Sequence, residues 1–135
     1  MTELIYALVQ AVHNLGAVAV VASPAVALGF RGHGVGLERR LAWTLLAAWG
    51  LQAASGAGFA AASYGLKGQL PEVTGVALYS LAVKLFATVA GFGIAASLLW
   101  VRRLSSPRSR AAAWAVCLGL AVAALLAAAP LRWYL

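Results

Sequence analysis

Four long apolar stretches alternate with three short polar connectors along this chain. The apolar stretches cover residues 4–30, 41–64, 74–101 and 111–129. Each is close to or above the roughly 20 apolar residues that a helix needs to cross the hydrocarbon core of a bilayer. The connectors are rich in Gly, Pro, Ser and charged residues, which favour helix ends. The pattern predicts an all-α membrane protein in which residues 1–135 form a single domain, a bundle of four transmembrane helices.

Composition supports the same fold class. Hydrophobic residues make up 64% of the 135 residues and charged residues 10%, whereas soluble domains carry about 25% charged residues. These values exclude a soluble enzyme, a disordered chain and a nucleic-acid-binding domain. The expected partners are the lipid bilayer and either other membrane subunits or further copies of the chain.

No P-loop, GxSxG, HExxH or dinucleotide-binding motif occurs, so we expect the chain to have no catalytic activity of its own.

The basic residues predict an orientation in the membrane. Seven of the ten lysines and arginines lie in the first and third connectors, namely Arg31, Arg39, Arg40, Arg102, Arg103, Arg108 and Arg110. Cytoplasmic loops carry the excess of basic residues in membrane proteins. We therefore expect a multi-pass protein of the cell inner membrane, with both termini outside and the arginine-rich connectors in the cytoplasm. The arginines themselves are interpreted as topology signals and lipid-headgroup anchors.

Two ionisable residues, His13 and Lys84, interrupt the apolar stretches. Ionisable side chains are costly inside a membrane and normally face the interior of a helix bundle. Counted along their helices, His13 and Lys84 each lie ~15 Å below the outer surface, and Gln52 lies ~18 Å below it. The sequence therefore predicts one polar layer near mid-membrane, formed by His13 with its neighbour Asn14, by Gln52 and by Lys84.

Helical spacing suggests further regularities. Glu3, Tyr6, Gln10 and His13 recur at intervals of three or four, which predicts a polar stripe from the outer surface to the histidine. Small residues let membrane helices approach closely, and five of them are predicted crossing points: Ser55, Gly56, Gly58, Gly91 and Gly93.

Three roles for His13 remain open at this stage. A histidine in a close-packed interior can ligate haem iron, relay a proton or form a hydrogen bond between helices. Lys84 can balance a haem propionate or a quinone oxygen, or its pKa can shift so that the side chain is neutral. Gly16 lies one turn beyond His13, where a missing side chain leaves room for a flat ring. The second histidine, His33, is twenty residues away, or ~30 Å along a helix, so the two cannot ligate one iron.

We therefore predict a haem b site. Its metal ligand is His13, and its other cofactor-binding residues are Lys84, Gln52, Asn14 and Gly16.

Three segments carry a resemblance to a known family: AVHNLGAVAVV in the first span, LQAASGAGF in the second and YSLAVKLFATVAG in the third. They are similar to the CopD and HemJ group of small membrane proteins. Members of that group have a histidine in the first span and a lysine in a later one, and they are associated with haem or copper handling. HemJ-type members are associated with protoporphyrinogen oxidation. The resemblance implies that His13 and Lys84 are paired functional residues.

The expected function is electron transfer by a haem b-binding membrane protein, a small subunit of a larger redox complex. One alternative is a cofactor-free structural subunit, in which His13 and Lys84 only join helices. Another is HemJ-like tetrapyrrole oxidation or CopD-like copper handling.

Overall fold

The computed structural model describes residues 2–30, 32, 34–68, 74–101 and 106–134, with backbone alone for residues 2–3, 66–67 and 132–134. Four α-helices account for nearly all of this: α1 (Thr2–Gly29), α2 (Val35–Lys67), α3 (Gly75–Trp100) and α4 (Pro107–Tyr134). Each is long and apolar enough to cross a membrane. The predicted all-α bundle of four membrane-spanning helices is confirmed.

The helices form a ring in which each packs against two others. The extensive contacts join α1 to α2, α2 to α3, α3 to α4 and α4 back to α1. Consequently α1 lies diagonally opposite α3, and α2 lies diagonally opposite α4. Because three connectors join four spans, both termini lie at one end of the bundle, called here the terminal end. The first and third connectors lie at the other end, called here the arginine end.

Helices α2 and α4 extend beyond the apolar stretches that were predicted as their spans. The second helix begins at Val35 rather than near residue 41, so Glu38, Arg39 and Arg40 belong to its first turns and not to a connector. The fourth helix begins at Pro107 rather than near residue 111 and continues through Pro130 to Tyr134. Proline removes one ladder hydrogen bond, yet its fixed φ angle is helical. A proline this close to the end of a helix leaves little of the ladder beyond it to disturb.

The start of α4 shows how local sequence sets a helix end. The backbone N–H of Ser109 donates a hydrogen bond to Ser106 Oγ at 3.1 Å. Ser106 therefore caps one of the N–H groups that have no partner within the first helical turn. Pro107 follows as the first helical residue, the position at which its missing N–H and fixed φ angle are best tolerated.

Large buried side chains concentrate toward the arginine end. Leu45 and Trp49 of α2 and Cys117 of α4 are almost inaccessible to solvent. The Trp49 ring lies against Gly91 of α3, in space that a Cβ atom on Gly91 would occupy. The predicted crossing point at Gly91 is therefore confirmed, whereas Gly93 is exposed with no neighbour within 4 Å of its added Cβ. Three of the buried polar side chains, Gln52, Ser55 and Ser80, lie beyond this core toward the terminal end, and a fourth, Ser23, lies toward the arginine end of α1.

Candidate functional site

The His13 imidazole lies between two other helices. Its Nδ1 is 2.7 Å from Ser55 Oγ of α2, and its Nε2 is 3.0 Å from Lys84 Nζ of α3. Ser55 Oγ also donates to the Leu51 carbonyl oxygen of its own helix at 2.7 Å. Because the serine proton is used there, the hydroxyl accepts from Nδ1–H. Nε2 is then the acceptor nitrogen, and Lys84 donates to it.

Gln52 joins α1 and α2 beside the imidazole. Its side-chain Nε2 donates to the His13 carbonyl oxygen at 2.6 Å. A Cβ added to Gly16 would lie 2.7 Å from the same Gln52 nitrogen, so the absence of a side chain at Gly16 makes this approach possible. The space predicted to admit a flat ring at Gly16 therefore holds the Gln52 amide.

Lys84 reaches across the diagonal of the bundle. The side chain is partly buried, and its amine contacts a neutral nitrogen base. Among the acidic residues, the structure describes the side chain of Glu38 alone. That carboxylate forms a salt bridge with Arg110 at the arginine end. Within the described part of the chain, Lys84 thus has no carboxylate partner. Its backbone carbonyl accepts a hydrogen bond from Thr88 Oγ1 at 2.8 Å, one turn farther along α3.

Aromatic side chains cover the histidine on the terminal side. The Phe59 ring meets the His13 ring edge to face, with centroids 6.0 Å apart. The Tyr6 ring in turn stacks on the Phe59 ring, with the two centroids 6.4 Å apart. The Phe59 contact and the two hydrogen bonds together fix the plane of the imidazole.

The predicted polar layer is confirmed in its main members: His13, Gln52 and Lys84 come together from three helices. Asn14 does not join them. It is exposed on the outer surface of α1, where its Oδ1 accepts from Gln10 Nε2 at 2.8 Å. The predicted polar stripe on α1 therefore does not share one face. Tyr6 and His13 face Phe59, whereas Gln10 faces outward.

Sequence reasoning treated Ser55 only as a small crossing residue and did not consider Phe59. The signal for Ser55 was its position one turn after Gln52 on the same face of α2.

No group of three His, Cys, Asp or Glu side chains that could hold a metal ion occurs among the described residues. His33 and the side chain of Glu3 lie outside the part that the structure describes.

A second polar cluster closes the arginine end. Glu38 Oε1 accepts from Arg110 Nε at 2.6 Å and from Trp114 Nε1 at 2.9 Å. Arg110 also donates through Nη1 to the Leu98 carbonyl oxygen at 3.3 Å. The cluster joins α2, α3 and α4, and its two charged side chains are 23% and 30% exposed. Arg110 was interpreted from the sequence as a headgroup anchor; here it bridges three helices.

The two clusters have different chemistry. The arginine-end cluster pairs a carboxylate with a guanidinium, so its charges compensate each other. The mid-membrane cluster brings a lysine to a histidine and supplies no described carboxylate. One imidazole nitrogen is bonded to a hydroxyl and the other contacts the Lys84 amine, so the cluster offers a nitrogen base and an amine side by side. No family model, curated protein or solved structure matches this chain.

Proposed function

We propose that the chain is a haem b-binding electron-transfer protein, a small subunit of a larger membrane redox complex. The observation that carries the proposal is the contact between His13 Nε2 and Lys84 Nζ near mid-membrane, with no carboxylate beside the lysine among the described side chains. A role in joining helices does not require a lysine, which costs about 2.5 kcal/mol or more at the centre of a membrane.

The donor set is compatible with haem. Metal-ligating histidines usually donate their other ring N–H to a hydrogen-bond acceptor, which sets the tautomer and the ring orientation. Ser55 is that acceptor for His13 Nδ1. His13 Nε2 would hold the iron, and Lys84, released from its present contact, would neutralise a propionate. When bound, a haem supplies one-electron transfer; the protein contributes ligation, counter-charge and exclusion of water.

A second candidate function rests on a different observation. Both ring nitrogens of His13 are hydrogen-bonded within the chain, and the Gln52 amide fills the space at Gly16. A cofactor-free structural subunit would keep this closed arrangement permanently. In that case the cluster acts only as a polar joint between α1, α2 and α3.

An absorption spectrum separates the two candidates. The protein is to be purified from haem-replete cells together with any native partners, alongside the His13→Ala variant. The haem proposal expects a Soret band in the natural protein and its loss in His13→Ala. Ser97→Ala is the matched control, because that hydroxyl bonds only Gly93 of its own helix. A natural protein without a Soret band contradicts haem binding and leaves the structural subunit.

The proposal includes a location: the cell inner membrane, with both termini outside and the arginine end in the cytoplasm. The charge asymmetry between the connectors supports it. Reporter fusions after Leu135 and within residues 105–109 test the orientation. A cytoplasmic signal from the fusion after Leu135 contradicts the orientation, although four spans would remain.

A further inference from the structure

Two side-chain amides lie on the outside of α1 at a depth where the bundle should face lipid. Gln10 and Asn14 are both exposed, and they are hydrogen-bonded to each other. Asn14 is near the middle of α1, which runs from Thr2 to Gly29. Hydrocarbon offers no hydrogen-bond partner, so polar groups on a lipid-facing surface are costly and usually find a partner on another helix. Gln52, by contrast, is buried and bonded inside the bundle.

The Asn14 amide has unused hydrogen-bonding capacity. Its Oδ1 accepts from Gln10, but its Nδ2 group, which carries two N–H donors, has no acceptor among the described residues. Both α1 and α3 expose large apolar side chains, such as Leu15 on α1 and Phe86 on α3, but α3 contains no Asn or Gln. A surface of that kind is suited to lipid, whereas the Asn14 surface is suited to a protein.

The residues around Asn14 would let another helix approach closely. At intervals of three or four along α1, one exposed line of side chains contains Ala7, Ala11, Asn14, Val18, Ala22 and Ala25. We call this line the Asn14 stripe. Small residues bring membrane helices into van der Waals contact, and Asn side chains form hydrogen bonds between helices in that setting.

We propose that the Asn14 stripe is a dimer interface whose occupant is the same stripe of a second copy of this chain. Two copies inserted in the same orientation and related by a twofold axis along the membrane normal present the same residues at the same depth. The Asn14 side chains of the two copies then face each other. An amide both donates and accepts, so Nδ2 of one copy can bond Oδ1 of the other, and the pair is self-complementary. A single Asn at a helix–helix interface also sets the register between the helices.

The interface leaves the His13 cluster intact, because the Asn14 side chain makes no hydrogen bond to a described member of that cluster. The proposal is therefore independent of haem binding. Asn14→Leu should weaken the dimer by about 3- to 30-fold, the range that a hydrogen bond between membrane helices supports. The bundle should remain folded, since the side-chain hydrogen bond that Asn14 makes within the chain is to Gln10.

Disulfide cross-linking in native membranes tests the interface directly. Cys117, which is buried, is first replaced by alanine to remove the native thiol. Ala11→Cys and Val18→Cys then place single cysteines on the stripe. Val12→Cys is the matched control: Val12 is 39% exposed but faces another side of the helix, because each residue advances an α-helix by about 100°.

We expect oxidation to join two copies of the Ala11→Cys or Val18→Cys variant and not two copies of Val12→Cys. Adding Asn14→Leu to Ala11→Cys should lower the cross-linked fraction, with an unchanged far-ultraviolet circular dichroism spectrum as the folding check. Three results would overturn the proposal. They are no cross-link at either stripe position, equal cross-linking of the Val12→Cys variant, and an adduct with a different protein instead of a second copy.

Discussion

The two polar clusters of this bundle differ in how their charges are satisfied. At the arginine end, Glu38 accepts hydrogen bonds from Arg110 and Trp114, so that a carboxylate, a guanidinium and an indole are joined. Near mid-membrane, Lys84 contacts the neutral base His13, and the described side chains provide no carboxylate. The first arrangement is complete in itself. The second leaves Lys84 without a described carboxylate, and this difference is the basis of the haem proposal.

The clusters also differ in the diagonal that they cross. The His13–Lys84 contact connects α1 with α3, and the Glu38–Arg110 contact connects α2 with α4. Between them lies the apolar layer in which Trp49 packs on Gly91. The bundle is thus held by a polar joint on each side of a tight apolar layer. Variants at each of the three levels should separate structural from functional roles.

The largest stability effect is expected in the apolar layer, from Gly91→Ala. An added Cβ would collide with the Trp49 ring, which is fully buried in the core. We expect the free energy of unfolding to fall by about 1–3 kcal/mol, as in other overpacked cores. The measurement is denaturant unfolding in detergent, followed by circular dichroism.

Gly93→Ala is the control for this variant, since its Cβ would enter open space two residues along the same helix. The gain in helix propensity is the same in both variants and cancels in the comparison. Equal stabilities of the two variants would contradict the close α2–α3 contact.

A somewhat smaller loss is expected at the arginine end, from Glu38→Ala. Removing the acceptor leaves the Arg110 Nε–H and the Trp114 Nε1–H without their bonds. Hydrogen bonds to charged groups contribute about 1.5–3 kcal/mol when buried, and partial exposure reduces this, so we expect a loss of about 1–2 kcal/mol. Glu38→Gln keeps an oxygen acceptor and should lose less. A Glu38→Ala protein as stable as the natural one would show that the cluster is not a structural joint.

The smallest effect is expected from Ser55→Ala in the mid-membrane cluster. The variant loses the acceptor of His13 Nδ1–H, and a hydrogen bond between membrane helices contributes about 0.6–1.7 kcal/mol. Nitrogen-15 NMR of the imidazole provides a second readout, in which the natural, cofactor-free protein should carry the proton on Nδ1. A proton on Nε2 instead would contradict the hydrogen-bond pattern that we derive for His13.

Much of this picture was predictable from the sequence, for definable reasons. Hydropathy determines the four spans because the bilayer thickness sets their length. Counting residues at 1.5 Å each places His13, Gln52 and Lys84 at one depth, and burial cost turns them inward. Helix starts were less predictable: Glu38 follows glycines that suggest a connector, yet it lies inside α2. Its bond to Arg110 spans 72 positions of sequence, a separation that local patterns do not report.

The sequence pattern also could not predict that the Asn14 side chain faces outward. Asn14 follows His13 directly, but adjacent residues lie about 100° apart around a helix, and which of two polar neighbours faces inward depends on the packing of α2 against α1. Gly16 and Gln52 decide this, because the Gln52 amide occupies the space that Gly16 leaves and bonds the His13 carbonyl. His13 is thereby turned inward and Asn14 outward.

The most direct test of the difference between the clusters is the haem content of Lys84→Ala and Glu38→Ala, measured by Soret absorbance per protein in membranes from haem-replete cells. If the mid-membrane cluster is the cofactor site, Lys84→Ala retains less haem than the natural protein because a counter-charge is gone. Glu38→Ala should keep its haem while losing stability. Equal haem content in both variants, or no Soret band in the natural protein, would contradict this assignment.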